Sequence, residues 1–479
     1  MLALDNRIFK FALPVAGVAF AVLLGYLALT RPGYFTSLTY VGSLLFLEIL
    51  LGAVWLYRRA FFPITIVVFL LAGVDLPVGT VWNMLRWMVL GLGALVGCAI
   101  VLKERRFSFG MFDIVAFLAL LAAGMSAAVS RYSTLSFLKV SSLVLLFIYG
   151  ATGSRLAVQG RESRFFTGLL TGCQILVGIV AAFYFSGVEM LGNPNSLGAV
   201  MGVAAVPVLL WGALLKQSKW AHRSQLLFYG LAMYLTYLSH ARAAIAAAIL
   251  VSLVLCVCLR RFAYLAVGVG LIAIVVAAMA ILQPEELSRS VASFNDTIVY
   301  KGKDPTSGLL SSRETPWQET MDAIQDHYWF GTGFGTSDKG VDPTENLGKF
   351  SSSSLTSREH GSSYLEIFAW VGVVGVLPFV MLLGGLLAKI LRTMFWMFKT
   401  GNPAHPAVPL AMVMMAGICH AAFEDWLFAP GYYLCIFFWS MSFVFVDSAN
   451  LLRFSTRSDV DWSRLNTASS DLSVVTPGR

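Results

Sequence analysis

Residues 363–390 read SYLEIFAWVGVVGVLPFVMLLGGLLAKI, a continuous apolar run long enough to cross a lipid bilayer as a helix. The chain of 479 residues is 58% hydrophobic and only 13% charged, which is more apolar surface than a water-soluble protein of this length can bury. Its apolar runs are continuous rather than alternating, unlike the strands of a membrane barrel. The sequence therefore predicts an all-α, polytopic membrane helix bundle.

Comparable runs recur along the chain and predict about 12 to 14 spans. The runs fall at 9–30, 34–57, 61–79, 84–102, 111–129, 134–152, 165–186, 194–215, 225–240, 243–259, 262–282, 363–390, 407–427 and 429–447. They divide the chain into an N-terminal transmembrane bundle (1–282), a long loop with an amphipathic helix (283–362), C-terminal transmembrane helices (363–447) and a polar tail (448–479).

Lysine and arginine cluster in alternate loops, the pattern that marks the cytoplasmic side of a membrane protein. The clusters are Arg58-Arg59, Lys103–Arg106, Arg155/Arg161/Arg164, Lys216/Lys219/Arg223, Arg260-Arg261 and Lys389/Arg392/Lys399. Both termini are therefore expected in the cytoplasm, and the loop 283–362 is expected on the outer face. Membrane topology thus explains the net charge of +8 without nucleic acid as a partner.

Arg313 opens the most recognisable part of the long loop. The residues 311–314 have the spacing of a capping box, and Pro316 suits a first helical turn. An apolar stripe follows at helical spacing, formed by Trp317, Met321 and Ile324. A helix lying on the membrane or on the bundle would hold Arg313 near the bilayer plane, where a lipid diphosphate sits. The alternative is a solvated arginine at a helix start.

Arg242 lies between the apolar runs 226–238 and 243–259 with almost no polar loop around it. An arginine at this depth is costly unless it snorkels to the interface or meets an anion. Small residues beside it favour a tightly packed site, namely Ala243, Ala244 and Ala246. One guanidinium group can donate hydrogen bonds to two phosphate oxygens at once, and it keeps its positive charge. Two arginines therefore suit a pyrophosphate.

His360 is the candidate general base, since a neutral imidazole can accept a proton from a hydroxyl near neutral pH. The alternative is an ordinary loop histidine. Glu366, further along, could orient the imidazole or cap the next helix. Lys139 lies inside an apolar run toward the outer side, where it either adds positive potential to the same cavity or snorkels.

Three further patterns favour structural roles. Asn193-Pro194-Asn195 suits a helix start. Gly331-x-Gly333-x-Gly335 follows no strand and lacks the lysine of a P-loop, so a turn back to the membrane is expected. His420 and Glu424 have the spacing of a metal pair, but no third ligand is close in sequence, so helix packing and hydrogen bonding are favoured.

The order of these motifs resembles the O-antigen ligase and polymerase superfamily. The resemblance covers residues 190–445 and rests on Asn193-Pro194-Asn195, Ser239/Arg242, Arg313/Trp317, Gly331/Gly333/Gly335 and His360/Leu365/Glu366. This chain departs from the family pattern by one extra residue between His360 and Leu365, by Gly361-Ser362 at a position where many members carry Asn, and by His240-Ala241 before Arg242.

The resemblance implies a membrane-embedded glycosyltransferase that moves a glycan from undecaprenyl diphosphate to an acceptor hydroxyl at the periplasmic face of the bacterial inner membrane. Arg242 and Arg313 would then grip the diphosphate, and His360 would deprotonate or orient the acceptor. The other expected substrate-binding residues are Asn193, Asn195, Lys139, Trp317, Tyr364 and Glu366. Positioned positive charge suits a diphosphate leaving group, so a metal-independent, inverting reaction without a cofactor is expected.

The activities left open differ in acceptor or in class. A polymerase joins lipid-linked repeat units into exopolysaccharide or O-antigen, and this is the favoured prediction; a ligase passes the chain to lipid A core. A flippase would place ionisable residues along a path through the bilayer, and a scaffold would need neither arginine. The implied partners are the lipid-linked glycan, the bilayer, and other polysaccharide assembly and export proteins.

Overall fold

The computed structural model describes residues 61–74, 79–104, 109–188, 190–191, 194–215, 218–283, 311–336 and 361–452, with scattered positions between 22 and 56 and at 285 and 288. Within these residues the chain is helical and contains no strand. The predicted all-α bundle is therefore confirmed.

Thirteen helices make up the main described ranges. They are α1 (Phe61–Ala72), α2 (Gly79–Glu104), α3 (Met111–Val129), α4 (Ser133–Val158), α5 (Glu162–Phe185), α6 (Pro194–Leu214), α7 (Lys219–Leu238), α8 (Arg242–Cys258), α9 (Phe262–Leu282), α10 (Ser311–Asp326), α11 (Ser363–Thr400), α12 (Ala407–Ala421) and α13 (Tyr433–Leu451). Helices α4 and α6 each contain one wider π-helical turn, at Gly150–Ser154 and Val200–Ala205.

Seven of the described helices (α2–α6, α11 and α13) are long and apolar enough to cross a membrane, and α1, α8 and α12 are shorter apolar helices. Every predicted run from residue 61 onward corresponds to a helix. The runs 9–30 and 34–57, most of the loop 283–362 and the tail from 453 lie largely or wholly outside the described residues. The C-terminal helix ends at Leu451 rather than near 447.

The boundary between the last two predicted runs is wrong. Helix α12 ends at Ala421 and α13 begins at Tyr433, so residues 422–432 form a loop that the apolar pattern assigns to spans. The loop looks like a span because Leu427 and Phe428 are fully buried in the bundle. Burial inside protein and burial in lipid select the same apolar residues, so hydropathy cannot separate them.

Helix α11 is broken at Gly372, whose φ of 65° lies in the left-handed region that favours glycine. The segment 328–333 inserts beside this break and satisfies the backbone groups on both sides of it. Four hydrogen bonds join them: Val373 N–H to Tyr328 O (2.9 Å), Val374 N–H to Trp329 O (3.3 Å), Thr332 N–H to Ala369 O (2.9 Å) and Gly333 N–H to Trp370 O (3.1 Å). Irregular backbone is tolerated in a span only where protein satisfies it in this way.

The glycine-rich segment 331–336 is the turn that its sequence predicts, and it packs between α11 and the α3–α4 corner. Ser130 Oγ donates to Thr332 O at 2.9 Å, and Ser136 Oγ donates to Phe334 O at 2.8 Å. A side chain at Gly331 would collide with the backbone of Trp370. We call this end of the bundle, which also holds α10 and the loop 422–432, the loop end.

A buried ion-pair cluster lies at the opposite end of the bundle. Arg155 on α4 donates to Asp113 at the start of α3 (2.8 Å) and to Asp447 near the end of α13 (3.1 Å). Its guanidinium also lies over the Phe443 ring. Removing one member would leave an uncompensated buried charge, so the cluster ties three helices together.

Replacing Gly372 with alanine tests the break in α11. The new Cβ would meet the Trp329 carbonyl, and the left-handed backbone adds about 1–3 kcal/mol of strain. We expect Gly372→Ala to lower the thermal unfolding temperature markedly in detergent. Gly384→Ala, in the same helix with open space around its Cβ, is the control and should be neutral. Equal stability of the two variants would contradict the close approach.

Candidate active site

Helix α10 presents Arg313 to the bundle rather than to solvent. Arg313, Thr320 and Ile324 are buried at 8%, 0% and 4% exposure, and they follow one another at helical spacing. Met321, predicted to belong to the apolar stripe, is instead exposed, because Thr320 holds the inward position one residue earlier. Pro316 lies inside the helix and not in its first turn.

Arg313 forms an ion pair with Glu424 in the loop 422–432. A buried guanidinium needs such a partner, because an uncompensated charge at this depth is costly. Beside the pair, the Trp317 ring stacks on Phe423 at a centroid distance of 6.5 Å. The ion pair and the aromatic contact together dock α10 onto the loop that joins the last two helices.

The same loop contacts the start of α11 at Ser363. The Ser363 backbone N–H and Oγ both donate to the Glu424 carbonyl, at 3.2 and 2.7 Å. Trp317 Nε1 donates to Gly361 O at 3.1 Å, and a Cβ on Gly361 would lie 3.4 Å from Arg313 Cδ. His360 lies outside the described residues; it is covalently joined to Gly361.

Arg242 begins α8 at the loop end, where α6 approaches it closely. A Cβ on Gly198 would lie 2.6 Å from the Ala241 Cβ, and one on Gly202 would lie 2.7 Å from the Ala244 carbonyl oxygen. The predicted tight packing is therefore present. Arg242 and Arg313 both lie at the loop end, and like charges at one end of a bundle repel each other. An anion between two such groups would relieve the repulsion.

Helix α6 brings polar side chains to the same place. Asn195 is half-buried in its first turn, and Asn193 lies outside the described residues. The Tyr432 hydroxyl lies 3.3 Å from Ser196 Oγ and 3.1 Å from the Tyr433 hydroxyl. Burial, with the neighbouring Tyr433, raises the pKa of Tyr432 well above its usual range, so the hydroxyl remains a proton donor.

A second group of charges lies deeper between α2, α4 and α11. The Lys139 ammonium interacts with the Glu366 carboxylate and with the Arg86 guanidinium, and its stem packs against Gly335. Glu366 is 4% exposed, and its Oε2 has no hydrogen-bond partner among the described residues. Arg86 Nη1 donates to Gly431 O at 2.8 Å. The lysine therefore faces the protein interior rather than snorkelling.

Two of the residues singled out from sequence have structural contacts. The Tyr364 hydroxyl donates to Ile418 O at 2.6 Å, which ties α11 to α12. His420 Nδ1 accepts from Trp426 Nε1–H at 2.7 Å. His420 therefore makes a hydrogen bond, as the sequence favours, whereas the sequence does not predict the ion pair of Glu424 with Arg313. Among the described residues, no group of three or more His, Cys, Asp or Glu is placed to hold a metal ion.

The loop end thus gathers charges of both signs from distant parts of the chain. The buried or half-buried cations are Arg86, Lys139, Arg242 and Arg313, and the carboxylates include Glu366, Glu424 and Asp425. From the sequence, Arg86 is not identified, Glu424 is considered only together with His420, and Asp425 is assigned no role. A charged residue inside an apolar run is the signal that identifies Arg86.

Fold and charges together define a multi-pass α-helical membrane protein with a charged site at one end of its bundle. Residues 226–380 match the family model described as O-Antigen ligase. The match spans α7 to α11, confirms the resemblance to the O-antigen ligase and polymerase superfamily, and is narrower than the predicted 190–445. It includes Arg242 and Arg313. The comparison with curated proteins gives no match.

The match covers about a third of the chain and indicates a function of the O-antigen ligase or polymerase type. The matched residues end before the loop 422–432. The site therefore combines residues inside the matched region, such as Arg313, with Glu424 outside it.

The Arg313–Glu424 pair predicts a specific coupling. Glu424→Gln should destabilise the protein by roughly 3 kcal/mol, because it leaves the buried Arg313 guanidinium without its counter-charge. Thermal unfolding of Glu424→Gln, Arg313→Gln and the double variant measures this coupling, and the double variant should cost less than the sum of the singles. Glu314→Gln, on the exposed face of α10, is the matched control. Additive effects would show that the pair does not link α10 to the loop.

Proposed function

We propose that this protein polymerises undecaprenyl-diphosphate-linked oligosaccharide repeat units at the periplasmic face of the bacterial inner membrane. The observation that carries the proposal is that Arg242, at the start of α8, and Arg313, in the first turn of α10, both lie at the loop end of the bundle. Two permanently charged, fork-shaped groups in a partly dry site suit a diphosphate. The family match supports a glycan-transferring reaction at this site.

In the proposed reaction, the acceptor hydroxyl oxygen attacks the anomeric carbon of the donor sugar. The bond from that carbon to the diphosphate oxygen breaks, and undecaprenyl diphosphate leaves with the electron pair. Arg242 and Arg313 stabilise the charge that develops on the leaving oxygens. His360 takes the acceptor proton, as a positioned imidazole can near neutral pH. Attack opposite the leaving group inverts the anomeric centre, and the leaving group needs no metal.

His360 takes this role because of its neighbour in the chain. Gly361 contacts both Trp317 and the Arg313 side chain, and adjacent Cα atoms lie about 3.8 Å apart. The proposed role requires the His360 imidazole, one residue before Gly361, to reach the acceptor beside Arg313. In this scheme Trp317 holds Gly361 in place through its hydrogen bond to the Gly361 carbonyl. Tyr364 fixes the start of α11.

The remaining predicted residues line the proposed site. In this proposal Asn195, in the first turn of α6, and Asn193, two residues before it, bind sugar hydroxyls. Lys139 adds positive potential below the arginines, and Glu366 orients the imidazole or an acceptor hydroxyl through its unpartnered oxygen.

The positive-inside pattern supports a periplasmic site. Arg155, Arg161 and Arg164 lie at the end of the bundle away from Arg313, where cytoplasmic loops are expected to carry the basic residues. With that orientation both termini are cytoplasmic. A transporter is a weaker proposal, because the ionisable residues of the site gather at one end instead of following a path across the bundle.

A transfer assay in nanodiscs tests the mechanism. With lipid-linked repeat units and a chelator present, we expect wild-type protein to form polymer, and Arg242→Ala and Arg313→Ala to lose at least about 100-fold in rate. Arg131→Ala, an exposed arginine at the loop end, is the control and should retain activity. A strict requirement for a divalent cation, or a retained anomeric configuration in the product, would contradict the scheme.

The acceptor is tested in a deletion strain. We expect loss of the secreted polysaccharide or O-antigen polymer while single lipid-linked repeat units accumulate. The description of the matched family favours the second candidate, a ligase. A ligase predicts a different result, in which lipid-linked polymer accumulates and lipid A core remains bare. Normal polymer and normal lipid A decoration would contradict both.

A further inference from the structure

A cavity of about 580 Å³ opens along the membrane-facing side of the bundle, between α1, α5, α6 and α13. Its described lining is apolar along most of its length. Ile175 and Ile179 in that lining are 56% and 44% exposed, so the cavity is open to the lipid phase. Arg161 and Arg164 line its far end, where Glu162 between them in the chain adds the opposite charge. We call this cavity the α5 groove.

The α5 groove runs from one end of the bundle to the other. Tyr433 and Met190 line it at the loop end, and Phe62 lines it at the opposite end, beside the start of α5. Helix α5 lines it from Arg164 to Ile179, a rise of about 22 Å, whereas one bilayer leaflet is about 15 Å deep. A phospholipid acyl chain, confined to one leaflet, would fill only part of this length. A longer chain that crosses the bilayer midplane would fill all of it.

The mouth of the groove at the loop end lies beside the candidate active site. Tyr433 lines this mouth, and its hydroxyl lies 3.1 Å from the Tyr432 hydroxyl. The Tyr432 hydroxyl in turn lies 3.3 Å from Ser196 Oγ in the first turn of α6. Two residues further along α6, a Cβ on Gly198 would lie 2.6 Å from the Cβ of the residue before Arg242. Two tyrosine hydroxyls and one helical turn therefore connect the groove to the helix start that carries Arg242.

Two glycines one helical turn apart widen the middle of the groove. Gly168 and Gly172 both line it, and a Cβ built on either would have no atom within 4 Å. The glycines at the α6–α8 contact are different, because there a neighbouring helix fills the space. The open space above Gly168 and Gly172 is left for something other than a described part of this chain. A chain with methyl branches, which is wider than a straight acyl chain, would have room there.

We propose that the α5 groove holds the polyisoprenyl chain of the lipid-linked donor, an assignment that rests on the proposed function. The first isoprene units lie at Tyr433, and the chain runs over Gly168 and Gly172 toward the opposite end. The diphosphate stays at the loop end, on the side of Arg242. The groove thus selects the length and branching of the lipid carrier, whereas the arginines hold its diphosphate.

Native mass spectrometry of the purified full-length protein, titrated with undecaprenyl phosphate or geranyl phosphate, tests the proposal without requiring glycan transfer. The two probes carry the same phosphate head, and the geranyl chain is too short to run along the groove. We expect undecaprenyl phosphate to bind roughly tenfold more tightly. The gain is limited to packing against the helices, because the chain enters the groove from an apolar phase and not from water.

Filling the groove separates the chain from the head. Gly168→Leu and Gly172→Leu should weaken undecaprenyl phosphate binding roughly tenfold and leave geranyl phosphate binding unchanged, because each new side chain occupies the groove without meeting an atom at its base. Gly230→Leu, at an equally open position on α7 outside the described lining, is the matched control and should bind both probes like wild type. Thermal unfolding and a single size-exclusion peak check the fold of each variant.

Three results separate the groove from the reaction. Equal binding of the two probes by wild-type protein, or leucine variants that keep the wild-type preference for the longer chain, would overturn the proposal. Phosphatidylglycerol that displaces undecaprenyl phosphate at equal concentration would make the groove a phospholipid site and would also overturn it. Protein that shows the expected chain-length preference but forms no polymer in the transfer assay would support the groove and contradict the proposed function.

Discussion

The architecture of the loop end depends on the break in α11. A span interrupted at Gly372 exposes backbone donors and acceptors that lipid cannot satisfy, and the segment 328–333 satisfies them with four hydrogen bonds. That segment directly follows α10, so its insertion fixes where α10 ends. The polar contacts of Ser130 and Ser136 then hold the segment against α3 and α4. The need to satisfy the backbone hydrogen-bonding groups at the break in α11 thus sets the position of α10.

Once α10 is fixed in this way, one residue, Glu424, connects it to the rest of the loop end. Glu424 pairs with Arg313 through its side chain and accepts from Ser363 through its carbonyl. It therefore joins the arginine-bearing helix, the start of α11 and the loop 422–432 at one point. In the proposed reaction an incoming diphosphate competes with this carboxylate for Arg313, so the same contact that builds the site also shields the arginine before the donor arrives.

The sequence predicts those parts of the fold and site that leave a signal in residue type. The helices follow from the apolar runs, and the turn at Gly331–Gly335 follows from the glycine spacing. Arg313 is found as a candidate site residue because it is a charged residue at the start of a helix expected to lie on the membrane or the bundle. The break at Gly372 does not follow from the sequence, because an apolar run looks the same whether its backbone is continuous or interrupted. The loop 422–432 is misassigned for a related reason: Leu427 and Phe428 are apolar because they fill the bundle. Pairings such as Arg313 with Glu424 join residues far apart in the chain, and no local pattern encodes them.

In the proposed mechanism Arg242, Arg313 and His360 act together on one diphosphate at the loop end. The most direct measurement is an electron cryo-microscopy map of the protein in a nanodisc with a donor analogue whose sugar–phosphate bond cannot break. We expect diphosphate density between the two guanidinium groups, with the His360 imidazole on the side of the sugar. Density at the opposite end of the bundle, or Arg242 and His360 on different faces of the membrane, would contradict it.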